Sequence, residues 1–298
     1  MTKIHVVCGG DSVERAVSLR SGTAVTAALV AAGYDVTTFD LSKASLNEIT
    51  SCDVVFPVLH GAGGEDGTLQ AQFENEDCKY VGSGPEASRL CFDKWEYRRA
   101  VTMAGLPTAD GTLVRADNYR QHPLTSVPYV LKCQTGGSSI DTFIVRDPTQ
   151  APHDKIAETF TRHPTMLLER LIIGTELTVA VLGDKALPVI EIIPPADGEF
   201  DYENKYNGAT RELVPPENVS EASQARAQAL ALQAHKLTRC RDFSRTDIML
   251  DVDGKPFLLE TNTIPGMTDQ SLFPKAARAA GIDMPALCTQ LVEMALKR

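Results

Sequence analysis

The sequence Arg245-Thr-Asp247 is followed, after a short turn, by Glu260-Thr-Asn262-Thr-Ile-Pro-Gly-Met. Asp253-Gly254 lies between two apolar runs, and this pattern predicts a β-hairpin with a two-residue type I′ turn. In that register Asp247 lies opposite Glu260, and Asn262 joins the same face two residues further on. The other face is expected to be core and carries the apolar residues Ile248, Leu250, Val252, Phe257 and Leu259.

Two carboxylates directly opposite each other on neighbouring strands repel, and a divalent cation between them removes the conflict. Mg²⁺ prefers carboxylate and amide oxygens and completes its shell with water or nucleotide phosphates. The alternative is a solvated acidic end of a hairpin. Arg245 is expected on the same face, where it either stabilises negative charge on a reacting carbonyl oxygen or pairs with Glu260.

The bulk properties indicate a globular chain of 298 residues, 43% of them hydrophobic, which suggests about two domains. A net charge of −10 argues against nucleic acid and anionic membranes as partners. The sequence contains no apolar run of membrane-spanning length and no signal-peptide pattern, so we expect a cytoplasmic protein. The seven cysteines lack a CxxC pair and are predicted to be reduced, with no zinc site.

The first ninety or so residues alternate strand and helix patterns, which predicts an open parallel α/β domain. Ligands bind at the carboxyl ends of such strands, where Gly9-Gly10 and the segment from His60 to Gly64 are expected. Asp11 and Glu14 have the spacing of a helix capping box, which on spacing alone is the preferred interpretation of Glu14. His60 either fixes its loop or contacts a ligand, and Glu65-Asp66 fit a helix start.

The rest of the chain alternates strands with a helix near 93–104 and another from Glu221 to Leu237. Residues 129–145 read as a hairpin whose tip, Gly136-Gly-Ser138-Ser139, suits a mobile cover over phosphate or a flexible turn. Residues 194–216 read as a long polar loop of the kind that is usually functional. Three lysines near turns or strand ends together suit a triphosphate, although each alone is better explained as solvated surface: Lys94, Lys132 and Lys205.

Four sequence blocks occur in an order that resembles the D-alanine:D-alanine ligase family of the ATP-grasp superfamily, over nearly the whole chain. The blocks are Gly9-Gly-Asp-Ser-Val-Glu14, His60-Gly-Ala-Gly-Gly-Glu-Asp-Gly-Thr-Leu-Gln70, Tyr202-Glu-Asn-Lys-Tyr206 and Leu258-Leu-Glu-Thr-Asn-Thr-Ile-Pro-Gly-Met-Thr268 with Ser271-Leu-Phe-Pro274. The resemblance implies an α/β protein, with an N-terminal open parallel α/β domain (1–93) followed by a two-lobed ATP-grasp α+β module (94–178 and 179–298).

The same resemblance implies ligation of two D-alanine molecules through an acyl phosphate for peptidoglycan precursor synthesis, with ATP and two Mg²⁺ or Mn²⁺ ions as cofactors. It also implies a homodimer. The metal ligands would be Asp247, Glu260 and Asn262. ATP would contact Lys94, Lys132, Ser139, Glu169, Arg170, Leu171, Glu176 and Lys205.

For the amino-acid substrates, the resemblance implies that Glu14 receives the ammonium of the first D-alanine and forms a hydrogen-bonded set with Ser138 and Tyr206. His60, Ser271 and Leu272 would bind substrate, with Ser271-Leu272 holding the second carboxylate. Arg245 and the Gly266 backbone would stabilise the oxyanion. Tyr206 is typical of relatives that form a dipeptide, so an amine is expected as the second nucleophile.

The glycine-rich segment, residues 132–141, departs from the family pattern Lys-Pro…Glu-Gly-Ser-Ser-Val-Gly. Gly136 replaces the glutamate, and Asp141 replaces the final glycine. Asp141 would repel a triphosphate unless it points away, and Ser244 also stands where many relatives have glycine. Three alternatives to a dipeptide ligase therefore remain: another ATP-grasp carboxylate–amine ligase, a nucleotide-binding paralogue without catalysis, and a Rossmann oxidoreductase. The last lacks the G-x-G-x-x-G fingerprint.

Overall fold

The computed structural model describes residues 1–137, 140–195 and 210–298. Four residues singled out above, Ser138, Ser139, Lys205 and Tyr206, lie outside these ranges. In chain order the elements are β1 (Lys3–Cys8), α1 (Arg15–Ala31), β2 (Asp35–Asp40), α2 (Leu46–Thr50), β3 (Val54–Pro57), α3 (Thr68–Asn75), α4 (Pro85–Phe92), α5 (Lys94–Met103), β4 (Gly111–Val114), β5 (Tyr129–Cys133), β6 (Phe143–Val145), α6 (His153–Arg162), β7 (Met166–Arg170), β8 (Gly174–Leu182), β9 (Lys185–Ala186), β10 (Ile190–Ile193), β11 (Arg211–Leu213), α7 (Glu221–Leu237), β12 (Phe243–Asp251), β13 (Pro256–Asn262), α8 (Leu272–Ala279) and α9 (Met284–Leu296).

The N-terminal part contains a parallel sheet with the strand order β2-β1-β3, as the alternating pattern predicted. The loops after β1 and β3 therefore leave the same edge of the sheet. Ser18 joins them, because its hydroxyl accepts the Gly9 N–H at 2.9 Å and donates to the Val58 carbonyl at 2.7 Å. The Ser12 hydroxyl donates to the His60 carbonyl at 2.7 Å. These bonds fix the two loops that carry Glu14 and His60.

The strands of the following module form two antiparallel sheets. The smaller has the order β4-β7-β5-β6, and β5 and β6 form the predicted hairpin around the glycine-rich segment. The larger has the order β11-β10-β8-β12-β13, with β9 paired to β8. β11 lies within the segment 194–216, so that segment is not a loop throughout as predicted. β8 pairs with β12 from Gly174 to Leu182 and so runs through residues 178–179, where we expected a boundary between lobes.

A two-residue turn was the wrong prediction for the β12–β13 hairpin. The Asp251 N–H donates to the Lys255 carbonyl at 3.0 Å, which leaves the three residues 252–254 as the loop, and Gly254 has a φ of 72°. A three-residue hairpin loop with glycine in the left-handed region is a common alternative to the type I′ turn. Val252 stands on this loop and is 82% exposed, not in the core.

The pairing of Asp247 with Glu260 is nevertheless as predicted, because a β-bulge restores the register. Ile248 pairs with Leu258, so Leu259 is an extra residue between the two pairs. Leu258 is therefore buried in the core, whereas Leu259 and Glu260 both line a cavity. Bulges commonly redirect side chains in this way beside functional sites.

Close packing joins the sheets and helices. The C-terminal helices α8 and α9 share one apolar core with β1 and α1, in which Leu29, Phe56 and Leu291 are fully buried. Gly174 in β8 allows a close approach to β12, because a Cβ there would lie 1.7 Å from the Leu250 carbonyl oxygen. Within the described ranges, none of the helices is long and apolar enough to cross a membrane.

Candidate active site

A cavity of about 860 Å³ brings together residues from both antiparallel sheets and from the loops after β1 and β3. Nine of the site residues that the family resemblance implies line it: Glu14, Lys94, Lys132, Glu169, Arg170, Leu171, Glu176, Asp247 and Glu260. Apolar residues from β6, β12 and β13 complete its walls, including Ile144, Met249 and Leu259. A mostly apolar wall with a few converging charges is typical of small-molecule sites.

Arg245 and Asp247 form a bidentate ion pair at the base of the hairpin. Arg245 Nε and Nη2 donate to the two carboxylate oxygens at 2.9 and 2.8 Å. The Thr178 hydroxyl on β8 also donates to Asp247 Oδ1, at 2.6 Å. Burial works against the charge on Arg245, but the carboxylate of Asp247 raises its pKa above the ordinary value. The sequence offered an ion pair with Glu260 as the alternative role of Arg245, but the carboxylate that Arg245 pairs with is Asp247.

Lys94 connects this hairpin to the glycine-rich segment. Its ammonium lies 3.5 Å from Glu260 Oε2 and donates a short hydrogen bond to the Gly136 carbonyl. Lys94 is the first residue of α5, and Asp93 caps that helix by accepting the N–H groups of Trp95 and Glu96. The cap fixes the start of the helix and therefore the direction in which the lysine leaves it.

Lys132 and Glu169 form a second buried ion pair, across neighbouring strands of the small sheet, with 2.6 Å between ammonium and carboxylate. Arg98 on α5 also donates to Glu169, at 3.2 Å. A buried carboxylate with two cationic partners holds both of them in place. Arg98 was not predicted, although it follows Lys94 by one helical turn and therefore shares its face.

Glu14 lies on the N-terminal side of the cavity and is buried. It is the N-cap residue of α1, but its side chain makes no capping hydrogen bond, so the capping-box interpretation was wrong. Its Oε2 lies 3.4 Å from the Cβ positions that side chains at Gly61 and Gly137 would occupy. The carboxylate therefore contacts both the loop after β3 and the glycine-rich segment.

Two other titratable groups are buried behind Glu14. Burial and the charge of Glu14 raise the pKa of Glu65 to about 8, although the Gly61 N–H donates to it at 2.6 Å. Burial and the charge of Arg245 lower the pKa of His60 to about 4. Both groups are therefore uncharged at neutral pH. Sequence patterns assigned Glu65 only to a helix start, because burial of a loop carboxylate depends on packing that spacing does not reveal.

The remaining predicted residues lie outside the cavity lining. Asn262 pairs with Arg245 across the hairpin, and its Oδ1 accepts the Ile264 N–H at 2.8 Å. Ser271 is the N-cap of α8, and its Oγ accepts the Thr268 N–H at 3.1 Å. A Cβ at Gly266 would lie 2.7 Å from that oxygen. The structure therefore places Gly266 and Ser271 against each other, with Leu272 buried beside them, but not at the cavity wall.

Two neighbouring side chains contact the carboxylate of Asp141. Arg162 donates to its Oδ1 at 2.8 Å, and His163 Nε2 lies 2.9 Å from its Oδ2. Partial burial opposes its ionisation, but the bonds from His163 and Arg162 lower its pKa. Its φ of 53° lies in the left-handed region, which aspartate tolerates better than most residues. Asp141 thus keeps the backbone conformation that favours a glycine, and its charge is paired.

This arrangement defines the class of protein. Two antiparallel sheets enclose a cavity with lysines, an apolar wall and a carboxylate pair on adjacent strands, and a parallel α/β domain closes one side. The fold and the cavity are those of an ATP-grasp protein.

Comparisons with known proteins define the family. Residues 101–293 match the family model described as D-ala D-ala ligase C-terminus, and residues 43–83 match D-ala D-ala ligase N-terminus. A D-alanine–D-alanine ligase of Xanthobacter autotrophicus is 44% identical, with 97% of each chain covered. The crystal structure of the Bacillus anthracis D-alanine–D-alanine ligase has a TM-score of 0.87 at 31% identity, covering 100% of this chain and 98% of that one. Its complex with ATP has a TM-score of 0.85 at 29% identity, with the same coverage.

The chain belongs to the D-alanine–D-alanine ligase family.

Proposed function

We propose that this chain joins two D-alanine molecules into D-alanyl-D-alanine with cleavage of ATP to ADP and phosphate, a step that supplies peptidoglycan precursors. The observation that carries the proposal is that one cavity has Glu14 at one side and Lys94, Lys132, Asp247 and Glu260 at the other. A carboxylate suited to an ammonium group and charges suited to a triphosphate thus line the same cavity.

In the proposed reaction, a carboxylate oxygen of the first D-alanine attacks the γ-phosphorus of ATP, and the bond to the bridging oxygen breaks to release ADP. The amine of the second D-alanine then attacks the acyl carbon, phosphate leaves, and the amine loses a proton. Phosphoryl transfer of this kind needs positioning and charge neutralisation more than covalent help from the protein. Positioned lysines supply both.

Among the residues that the structure describes, Lys94 and Lys132 are the lysines that line the cavity and are proposed to neutralise the transferring phosphoryl group. Each is held by a carboxylate on a rigid strand, Glu260 and Glu169 respectively, so its ammonium has little freedom to reorganise. Because Lys94 also donates to the Gly136 carbonyl, it ties the glycine-rich segment to the hairpin. Lys205, Ser138, Ser139 and Tyr206 remain expectations for the same site.

A divalent cation fits the donor set of the hairpin. Asp247 and Glu260 supply carboxylate oxygens on paired strands, and Asn262 adds an amide oxygen two residues along, which is the hard-oxygen set that Mg²⁺ or Mn²⁺ prefers. The like charges already require cations around them, which Arg245 and Lys94 provide here. When bound, the metal neutralises charge on the nucleotide phosphates.

Arg245 is proposed to stabilise the oxyanion that forms when the second amine attacks. A guanidinium has five N–H donors, and the pair with Asp247 uses two of them. The bidentate pair orients the remaining donors and keeps the side chain charged. The backbone of Gly266 is proposed to add a second donor.

Glu14 is proposed to bind the ammonium of the first D-alanine. A neutral Glu65 beside it leaves one negative charge for one ammonium. His60 is proposed to contact the same substrate, since its Nε2 is buried and has no hydrogen-bond partner among the residues that the structure describes. Ser271 and Leu272 are proposed for the second carboxylate.

The test is phosphate release by the purified protein with ATP, Mg²⁺ and D-alanine, with L-alanine as control and the product identified by mass. We expect release with D-alanine only and a product of the mass of the dipeptide. Release with another acceptor would indicate a different carboxylate–amine ligase. ATP binding without release would indicate a nucleotide-binding paralogue.

We also propose a homodimer acting in the cytoplasm. The reduced state of the seven cysteines, five of which are buried, suits a reducing compartment. Light scattering during size-exclusion chromatography measures the oligomeric state directly, and a mass of one chain would contradict the dimer.

A further inference from the structure

Three potential metal ligands of different chemical type meet below the glycine-rich segment. Cys133 ends β5, Asp141 precedes β6, and His163 follows α6. The thiol sulfur, a carboxylate oxygen and a ring nitrogen all lie within 4.8 Å of one another. Sequence spacing predicted no zinc site, because residues so far apart along the chain show no ligand pattern.

We propose that Cys133, Asp141 and His163 bind a divalent transition-metal ion of the zinc type, at a site separate from the hairpin carboxylates. The donor set decides the class of ion. Thiolate and imidazole are ligands that zinc accepts and that Mg²⁺ avoids, and a carboxylate oxygen commonly completes such sets. The two sites therefore select different ions from the same solution.

The geometry around Asp141 suits a ligand more than a free surface group. Arg162 holds Oδ1 at 2.8 Å and so directs Oδ2 toward His163, 2.9 Å away. An ion between the two would replace their hydrogen bond, while Arg162 would keep its own. Hydrogen bonds from outside the coordination sphere fix ligating carboxylates in many metal sites.

Cys133 must lose a proton when the ion binds. Burial and the nearby charge of Asp141 raise the pKa of its thiol to about 11, so the thiol is protonated at neutral pH. Binding forms a sulfur–metal bond and breaks the S–H bond, and the proton goes to solvent with no change of oxidation state. Metal sites with cysteine release protons on binding for this reason.

Three protein ligands leave one tetrahedral position for water. Cys133, Asp141 and His163 all line the large cavity, so that position faces the space assigned above to nucleotide. The ion would also join the two ends of the segment 134–140 to the end of α6.

Cobalt(II) titration of the full-length protein tests the site, because a cobalt–thiolate bond gives a charge-transfer absorption band that oxygen ligands do not. We expect the band with wild type, and its loss in both Cys133→Ser and His163→Gln. Arg162→Gln should weaken cobalt binding about tenfold. Excess Mg²⁺, which should occupy only oxygen sites, should leave the band unchanged.

The double variant Cys52→Ser/Cys78→Ser is the matched control, since it removes the two partly exposed cysteines and leaves the proposed site intact. Thermal unfolding without metal shows whether each variant is folded, and His163→Gln alters only a partly exposed ring. The proposal would be overturned if wild type lacks the band. It would also be overturned if Cys133→Ser keeps the band or if the control variant loses it. Because the readout is binding, its failure is distinguishable from failure of the ligase assay.

Discussion

The β12–β13 hairpin and the glycine-rich segment face the same cavity but differ in how their charges are held. On the hairpin, Arg245, Asp247 and Glu260 match the family pattern. Arg245 forms an ion pair with Asp247, which lies opposite Glu260 on the neighbouring strand. In the segment, Gly136 and Asp141 depart from the pattern, and Asp141 is paired locally with Arg162 and His163. Charges on a rigid strand pair leave few ways to compensate for a change, whereas a loop can accept one with new neighbours.

The largest effect should come from Glu260→Gln on the hairpin. The change removes a proposed metal ligand and the partner of Lys94 while keeping the side-chain size. We expect D-alanine-dependent phosphate release to fall by about a hundredfold or more, the scale seen when one transition-state contact is lost. Glu86→Gln, which alters a highly exposed glutamate on α4, is the control and should keep wild-type activity. Near-normal turnover by Glu260→Gln would show that the hairpin does not hold the metal.

The next effect concerns stability and its pH dependence at Glu65. Its pKa rises from 4.5 to about 8 on folding, so the folded state binds the proton more tightly than the unfolded state. The contribution of Glu65 to wild-type stability should therefore fall as the pH rises from about 4.5 toward 8, and this contribution should be constant below that window.

Glu65→Gln should remove this dependence. One pKa unit corresponds to about 1.4 kcal/mol. We therefore expect the variant to exceed wild type in free energy of unfolding by on the order of 4 kcal/mol at pH 8 and to match it near pH 4.5. Chemical denaturation at several pH values measures the difference, and a gap that stays constant with pH would contradict a buried neutral carboxyl.

A smaller effect is expected in the glycine-rich segment. Arg162→Gln removes one partner of Asp141 and leaves more of its negative charge near the nucleotide. The repulsion should raise the KM for ATP about fivefold, which corresponds to about 1 kcal/mol. Adding Asp141→Gly should restore the wild-type value. If Asp141→Gly alone changes turnover strongly, the segment is as intolerant as the hairpin.

The smallest effect on activity is expected at the hairpin tip. Gly254→Ala places a Cβ at a φ of 72° and 3.0 Å from the Ser223 hydroxyl, so it should destabilise the fold by about 1 kcal/mol. The tip contacts α7 and does not line the cavity, so turnover should be unchanged. Val252→Thr on the same loop should alter neither property. Reduced turnover at full stability would show that the tip affects the site.

The same hairpin shows how far sequence reasoning reaches. Alternation and the Asp-Gly signal placed the strands and paired Asp247 with Glu260, which the structure confirms. The turn type was wrong, and the pairing holds because a bulge at Leu259 compensates. A bulge has no signal in alternation, since it is set by packing of Leu258 into the core.

The site was predictable where residues share an element and not where separate loops meet. Asp247 and Glu260 followed from one hairpin, whereas Glu65 beside Glu14 and the group Cys133, Asp141 and His163 arise from packing of distant segments. Glu14 illustrates the limit, because its spacing from Asp11 favoured a cap that the structure does not contain. Only the family resemblance indicated the role at the substrate that we propose for it.

The measurement that tests the central claim most directly uses D-alanine labelled with ¹⁸O in its carboxylate. If a carboxylate oxygen attacks the γ-phosphorus, the acyl phosphate retains that oxygen and the amine later displaces it as phosphate. Mass analysis should therefore find one labelled oxygen in each phosphate released, together with the dipeptide. Unlabelled phosphate would mean that water attacks ATP, and it would contradict the account of the cavity as a site for acyl-phosphate formation.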